Sequence, residues 1–336
     1  MGKVAHLLTA PHLMGKTPLS LLKMRELIRI IVALVSLVTI SLAAYGGAEC
    51  AGTSDLPQGA ETSAPHHPGP PGVVHTVTGS RAAADTPARR EITTAGQVVP
   101  KTHRITLVAQ RTADGSLTYN GTVPGPTIEI YEGDEVELTL INQLDVDVSV
   151  HVHGVHYKID SDGTRHTRSF APPGGKYVYR WIAALGSAGY WHYHDHVIGP
   201  GMDGVRGIEQ GLYGALIVRK VGDPLPDKTF VLVMQNVWFN NKRYPHTPLL
   251  EAKLGERVEF VVITHGSRFH TFHIHGHRWL DRGTKRIIDT FTHNAGESTG
   301  FQVIAGEGVG PGEWMYHCHV HDHLEDGMMG FFIVRP

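Results

Sequence analysis

Three consecutive residues near the C-terminus, His317, Cys318 and His319, carry side chains that bind transition-metal ions. Neighbouring side chains on a β-strand point to opposite faces, so the cysteine and the two histidines cannot bind the same ion. The tripeptide therefore predicts two metal sites that are joined by a few covalent bonds. Such a link is a short path for electrons.

Two further residues extend the cysteine side of this pattern. His323 follows Cys318 by five residues and Met328 follows it by ten. A thiolate, two imidazoles and a long thioether bond are the ligands of a blue copper site. The second imidazole is expected on another strand, and His270 is the candidate. Met329 adjoins Met328 and is the alternative thioether.

Histidine also recurs as four His-x-His pairs. Residues two apart on a strand share a face, so both members of a pair can address one metal cluster. Imidazole suits copper, zinc, iron and nickel alike, and the nearby thiolate site favours copper. Eight imidazoles exceed the needs of one ion and match a cluster of three. The eight are His151, His153, His194, His196, His273, His275, His317 and His319.

The pairs belong to an internal repeat. The His-x-His-Gly motif at His151 recurs 122 residues later at His273, and Tyr193–His196 recurs as Tyr316–His319. The repeat fails at one set of positions, because Asp195 stands where the second half has Cys318. The positions of His270, His323 and Met328 likewise hold Val148, Pro200 and Val205. We therefore expect one blue copper site, in the second half, and one shared cluster.

The elements that carry these residues read as strands. Short runs rich in β-branched residues are separated by glycine, proline and asparagine, and no long amphipathic helix follows residue 101. Each half has the length and turn spacing of one Greek-key β-sandwich. The predicted fold is all-β, with tandem sandwich domains at 101–222 and 226–336.

The N-terminal hundred residues differ in composition. Basic residues, an apolar run at 30–45 and small residues predict a secretory signal over 1–48, with a retained anchor as the alternative. Residues 49–100 are rich in Ala, Gly, Pro, Ser and Thr and predict a disordered linker. The expected location is secreted, periplasmic or at the cell surface. A formal net charge of −2 gives no reason to expect nucleic acid as a partner.

The four histidine pairs and the His-Cys-His junction resemble the multicopper oxidases over residues 101–336. With two sandwich domains, the chain is similar to the two-domain bacterial small laccases, and Gly189–His196 and Ile304–Gly310 carry that likeness. The resemblance implies cupredoxin-like domains and four coppers per chain. It also implies that the chain forms a homotrimer, with a three-copper cluster between neighbouring subunits.

The resemblance further implies a role for each residue. His151 and His273 would bind the type 2 copper and the other six paired histidines the type 3 pair. His270, Cys318 and His323 would hold the type 1 copper, with Met328 as axial ligand. Three more residues are implied near the cluster: Asp162 and Asp289 as proton donors, and Tyr157 beside the type 2 copper. The implied reaction oxidises a small reducing substrate, a phenol or aromatic amine, and reduces O₂ to water.

Alternative functions remain at this point. An oxidase whose reducing substrate is Cu(I) or another metal ion is one, although no methionine-rich insertion is visible. A two-domain copper nitrite reductase is another, but that class carries its blue copper in the first half, where this chain has Asp195. A copper-storage protein or electron carrier without catalysis is a third, although an electron carrier needs one blue site and would leave eight histidines unexplained. His192 shares strand parity with His194 and is a weaker ligand candidate.

Overall fold

A computed structural model of the chain describes residues 99–201 and 204–336. The predicted signal (1–48) and nearly all of the predicted linker (49–100) lie outside the described residues. Within them, no helix has the length and apolar character needed to cross a membrane.

The first domain contains nine strands, one 3₁₀ turn and one five-residue helix. In chain order they are β1 (Thr102–Arg111), β2 (Leu117–Tyr119), β3 (Ile128–Tyr131), β4 (Glu135–Asn142), β5 (His151–Val152), β6 (His156–Tyr157), the 3₁₀ turn (Ile159–Ser161), β7 (Lys176–Ile182), β8 (Gly189–His194), α1 (Arg206–Gln210) and β9 (Tyr213–Arg219).

The second domain repeats this plan with eleven strands and one short helix. They are β10 (Lys228–Gln235), β11 (Trp238–Phe239), β12 (Leu250–Lys253), β13 (Arg257–Thr264), β14 (His270–Ile274), β15 (Trp279–Leu280), β16 (Ile287–Ile288), β17 (Thr290–His293), β18 (Ser298–Ile304), β19 (Gly312–Cys318), α2 (His321–Glu325) and β20 (Met329–Arg335).

Each domain is a sandwich of two sheets. The first packs β2-β1-β4-β7-β6 against β3-β9-β8-β5, and the second packs β11-β10-β13-β18 against β12-β20-β19-β14-β17. Alternation sets the faces: in β4, Val136, Leu138 and Leu140 are buried while Glu135 is exposed. The parallel pair β1–β4 recurs as β10–β13. The all-β expectation, with two cupredoxin-like Greek-key domains in tandem, is confirmed.

The two sandwiches stack on each other, which gives four sheet layers. Apolar side chains of β8 and β9 pack against those of β10 and β13 in one buried cluster, which includes Tyr190, Tyr213, Val233 and Val261. Gly300 on β18 lies against the ring of Tyr190, where an added Cβ would come within 2.4 Å of the ring. Both faces of the β3-β9-β8-β5 and β11-β10-β13-β18 sheets are therefore covered over much of their area.

Candidate metal centres

The first candidate centre lies inside the core of the second domain. His270 begins β14, Cys318 ends β19 and His323 lies on α2. The Cys318 Sγ atom is 3.8 Å from His270 Nδ1 and 3.5 Å from His323 Nδ1. Cys318 and His270 are fully buried and His323 is 4% exposed. The strand pairing of β14 with β19 thus brings together ligands that are 48 residues apart in the chain.

Met328 belongs to the same buried core. It is fully buried, its carbonyl accepts a hydrogen bond from the Cys318 backbone N–H, and its own N–H donates to the His323 carbonyl. The neighbouring Met329 starts β20 and is only partly buried. The alternation that buries one thioether turns the other away, so Met328 is the axial candidate.

The donor set of this centre fits copper. Burial lowers the pKa of His270 to about 4, and burial also lowers the pKa of His323. Both imidazoles are therefore neutral at pH 7 and present Nδ1 toward the sulfur. The Thr271 N–H donates to Cys318 Sγ at 3.4 Å, which holds the sulfur in place between the two imidazoles. Two imidazoles, a thiolate and a buried thioether are the blue copper ligands.

The first domain brings four histidines together at the end of its inner sheet. The ring centroid of His151, on β5, lies 5.1 Å from that of His153, 5.4 Å from that of His194 and 5.2 Å from that of His196. The Nε2 atoms of His153 and His194 are 3.1 Å apart. We call these four residues the first quartet.

The second domain carries the equivalent set on β14 and β19. The ring centroid of His273 lies 5.1 Å from that of His275, 5.3 Å from that of His317 and 5.7 Å from that of His319. The Nε2 atoms of His275 and His317 are 3.3 Å apart. These four residues form the second quartet, in which His275 and His319 are exposed.

Backbone carbonyls fix the ring tautomer of two histidines in each quartet. Nδ1 of His151 donates to the Asp162 carbonyl at 2.5 Å, and Nδ1 of His273 donates to the Asp289 carbonyl at 2.8 Å. His194 and His317 each donate Nδ1–H to the carbonyl of the next residue, both at 2.9 Å. A carbonyl only accepts, so Nε2 of each ring is left as the basic nitrogen. Orientation of this kind is typical of metal-ligating histidines.

The charge state of the quartets also suits a metal. Burial, and then the neighbouring imidazoles, lower the pKa of His153 to about 4. Burial lowers the pKa of His151, His275 and His317 as well. A neutral imidazole with a free Nε2 lone pair is the form that binds copper. In each quartet one pair of Nε2 atoms lies at hydrogen-bond distance, so a bound cation would take the place of the proton between the two nitrogens.

The two quartets lie on different layers of the stack. The first adjoins the β11-β10-β13-β18 sheet, since the His194 ring lies 5.4 Å from that of His265, which directly follows β13. The second lies on the outer face of the β12-β20-β19-β14-β17 sheet, opposite to the inward-pointing Cys318. The sandwich of the second domain, about 10 Å thick, separates them within one chain.

Three predicted residues other than ligands lie beside the quartets. The Tyr157 hydroxyl donates to Asp162 Oδ1 at 3.2 Å, and Thr164 donates to Asp162 Oδ2 at 2.6 Å. Asp162 Oδ1 is 3.8 Å from His151 Nδ1. Asp289 is 55% exposed, and its Oδ1 is 4.0 Å from His273 Nδ1. Each quartet thus has a carboxylate beside the ring that the resemblance assigns to type 2 copper.

The place equivalent to Cys318 in the first domain is not a metal site. Asp195 is fully buried, and its carboxylate accepts hydrogen bonds from the backbone N–H groups of Ser149, Val197 and Ile198. Burial raises the pKa of this carboxyl to about 6, although the hydrogen bonds oppose the shift. The carboxylate therefore anchors the loop that follows β8.

Two more histidines contact the first quartet. The ring of His192 is tilted by 36° against that of His153 at a centroid distance of 3.9 Å, and His265 lies edge-on to His192 at 5.0 Å. Both are almost completely buried. His192 thus packs against a ring of the first quartet. His265 has no repeat partner, since position 143 of the first half is Gln, and sequence pattern gave no signal for it.

Two family models, each described as multicopper oxidase, match the chain at residues 102–222 and 223–336. The chain belongs to the multicopper oxidase family. A crystal structure titled as a multicopper oxidase covers 73% of this chain and 92% of that one, with a TM-score of 0.58 and 26% identity. Membership in this family implies that the chain binds copper.

Curated relatives carry different activities in their names. A probable nitrite reductase-hydroxylamine oxidoreductase fusion protein of Kuenenia stuttgartiensis is 40% identical over 239 residues, which is 64% of this multicopper oxidase and 28% of that protein. The human ferroxidase HEPHL1 is 25% identical over 299 residues, 68% of this chain and 25% of that protein. The chain thus spans about a quarter of the length of these relatives.

Proposed function

We propose that this protein is a laccase-like oxidase. It would oxidise small phenols or aromatic amines by one electron each and reduce O₂ to water. In the balanced reaction, four phenols and one O₂ give four phenoxyl radicals and two waters. The observation that carries the proposal is the combination of one Cys-His₂-Met group, in the second domain alone, with an imidazole quartet in each domain.

Four coppers per chain would be held by this constellation. His270, Cys318 and His323 would bind the type 1 ion with Met328, and the quartets would bind one type 2 ion and a type 3 pair. When bound, copper supplies a one-electron acceptor at His270, Cys318 and His323, which we call the triad, and a site for O₂ at the quartets. The protein contributes the connection: His317 is covalently joined to Cys318 and also donates Nδ1–H to its carbonyl.

Protons for water formation would come through the carboxylates. Asp162 is 20% exposed, which gives it access to solvent, and it lies 3.8 Å from the His151 ring. Tyr157 and Thr164 fix its two oxygens by donating hydrogen bonds. A positioned carboxyl group is an effective general acid at such a place. Asp289 would serve the second quartet, from a more exposed position.

The layer arrangement supports an assembly with one cluster at each subunit interface, and we propose three subunits, as the resemblance to the small laccases implies. Each quartet offers half of the ligands, and the second quartet lies on an open outer face. A ring closes when the outer face of one subunit meets the first quartet of the next. Light scattering would give the mass of three subunits, and a fully active monomer would refute the assembly.

We also propose export of the mature chain, which N-terminal sequencing of secreted protein would test.

Nitrite reduction is the second candidate, because the Kuenenia relative carries that name at 40% identity. The buried, fully hydrogen-bonded Asp195 at the cysteine position of the first domain argues against it, since that class carries its blue copper there. A ferroxidase-like metal oxidase is favoured by the name of one relative.

One set of assays distinguishes these functions. Purified protein is loaded with copper, its copper content and blue absorption are measured, and then O₂ and nitrite consumption are followed with the same reductants. About four coppers per chain and O₂ uptake with a methoxyphenol support the proposal. Nitrite consumption without O₂ uptake would replace it with the reductase. O₂ uptake with Fe(II) or Cu(I) but with no phenol would replace it with the metal oxidase.

A further inference from the structure

A cavity of about 900 Å³ lies at the seam between the two domains, away from both quartets. The turn after β1 and residues 121–123 form its first-domain wall, and the segment from Trp238 to Pro248 forms its second-domain wall. Two contacts cross the seam beside it: Lys242 Nζ to Asp114 Oδ2 at 3.6 Å, and the Tyr213 hydroxyl to Asn241 Oδ1 at 2.9 Å. Its volume is that of a site for a small organic ligand.

The second-domain wall of this cavity contacts the segment that carries the triad. The Tyr244 N–H donates to the Gly327 carbonyl at 2.9 Å, and Gly327 immediately precedes Met328. The Cys318 N–H in turn donates to the Met328 carbonyl. On a second route, the Tyr316 hydroxyl donates to the carbonyl of the cavity-lining Pro248 at 2.6 Å. Two short routes of hydrogen bonds and backbone thus connect the cavity wall to Cys318.

The chemistry of the walls is specific. Trp238 is half-buried and Tyr244 is 43% exposed, so both offer ring faces to a ligand, within a lining that is mostly apolar. The Arg243 guanidinium lies 5.9 Å from the Trp238 ring centroid. Among the described residues Arg243 has no carboxylate partner, whereas Lys242 is paired with Asp114. Flat rings beside an uncompensated guanidinium match an aromatic ligand that carries an anionic group.

We propose that this seam cavity binds aromatic acids, with the ligand ring on Trp238 and its carboxylate on Arg243. The proposal deepens the oxidase function above, on which it rests, because it names phenols that carry a carboxylate as the favoured reducing substrates. It assigns binding to residues 238–248, which belong to neither quartet and to no part of the triad.

Calorimetric titration of the copper-loaded full chain tests this without any turnover. The ligands are 4-methoxybenzoate, which has no phenolic hydroxyl, and its neutral amide. The wild type should bind the acid about tenfold more tightly than the amide, since a hydrogen bond to a charged group contributes that much. Arg243→Gln should remove this preference and leave the amide affinity unchanged. Trp238→Ala should weaken both ligands, and Trp238→Tyr should weaken them less.

The control is Lys176→Gln, which removes an exposed cation on β7 and should change neither affinity. The proposal is overturned if the wild type binds neither ligand, if Arg243→Gln weakens acid and amide equally, or if Trp238→Ala weakens neither. Hexacyanoferrate(II), an inorganic electron donor, separates the two proposals. O₂ uptake with this donor, without binding of either aromatic ligand, would refute the cavity proposal alone. Absence of O₂ uptake with every donor would refute the oxidase proposal, whatever the titration shows.

Discussion

Arg219 and Glu259 form a buried ion pair across the contact between the domains. Arg219 Nη1 and Nη2 donate to the two Glu259 carboxylate oxygens, both at 2.6 Å, and Arg219 Nε donates to Glu129 Oε1 at 2.9 Å. Tyr190 and Gln302 donate to Glu259 as well, at 2.7 and 3.1 Å. The Arg219 side chain is 2% exposed and that of Glu259 is 0% exposed. Solvent therefore screens the attraction between these two charges very little.

We predict that Arg219→Met lowers the free energy of unfolding by about 3–5 kcal/mol, because it leaves a buried carboxylate without its cation. Burial alone raises the pKa of Glu259, but Arg219, Gln302 and Tyr190 outweigh burial and hold that pKa below its usual value. The double variant Arg219→Met/Glu259→Leu should recover part of the loss, since the fully buried Glu259 charge is removed with its cation, while Glu129 keeps its charge at 10% exposure. Urea unfolding of the copper-free chain, followed by tryptophan fluorescence, gives both numbers.

Arg335→Met is the matched control. Arg335 Nη2 lies at the same 2.6 Å from Glu251 Oε1, but these side chains are 61% and 30% exposed. Solvent screening limits that pair to about 1 kcal/mol or less. The reasoning is refuted if the two single variants lose equal stability, or if the double variant is no better than Arg219→Met.

The pH dependence provides an independent check. Without Arg219, the buried Glu259 has a folded-state pKa above its unfolded value, so protonation stabilises the folded variant. Its deficit relative to wild type should therefore shrink as pH falls from 7 toward the unfolded pKa near 4.3. A deficit that grows over this range would show that lost packing, not stranded charge, is the cause.

Three other outcomes are expected. Cys318→Ser should abolish the blue absorption and lower the copper content by about one per chain, while most of the quartet copper stays; an unchanged spectrum would exclude Cys318 as ligand. Asp162→Asn should lower kcat by roughly a hundredfold with O₂ as acceptor, whereas the exposed Asp160→Asn should not; equal rates for wild type and Asp162→Asn would remove the proton role. Burial lowers the pKa of His270 to about 4 and that of His265 to about 3, against about 6.5 when unfolded, so the unfolded copper-free chain binds more protons. Each should therefore lower stability by about 3 kcal/mol as pH falls from 6.5 to 4, and urea unfolding that is flat over this range would contradict it.

Much of the site could be predicted because its geometry follows from strand alternation. Opposite faces at His317 and Cys318 separate a core centre from an outer one, and the structure places them so. His323 and Met328 lie beside Cys318 for a different reason, since a short helix and a turn return the chain to the same core. Such rules depend on neighbours along a strand, which the sequence shows directly.

Sequence alternation gives no information on what covers a sheet whose two faces are both buried. In β13, Val258 points to the core of its own domain, and alternation places Glu259 on the other face. That face is covered by the first domain, so Glu259 belongs to a buried network. His265, which directly follows the same strand, was missed for the same reason. Alternation tells which face a residue has, but it does not tell what covers that face.

The separation of the two quartets by a sandwich has a consequence for mixed assemblies. In the proposed ring, a subunit that has lost the first quartet and one that has lost the second would each be inactive alone, yet the intact halves of the two would meet at one junction. Co-expressed variants such as His153→Ala and His275→Ala should therefore restore part of the activity, as in intragenic complementation. An open row of subunits would have one cluster fewer than it has chains, whereas a closed ring would lose none. In the proposed assembly, ring closure would thus set the number of complete clusters per chain.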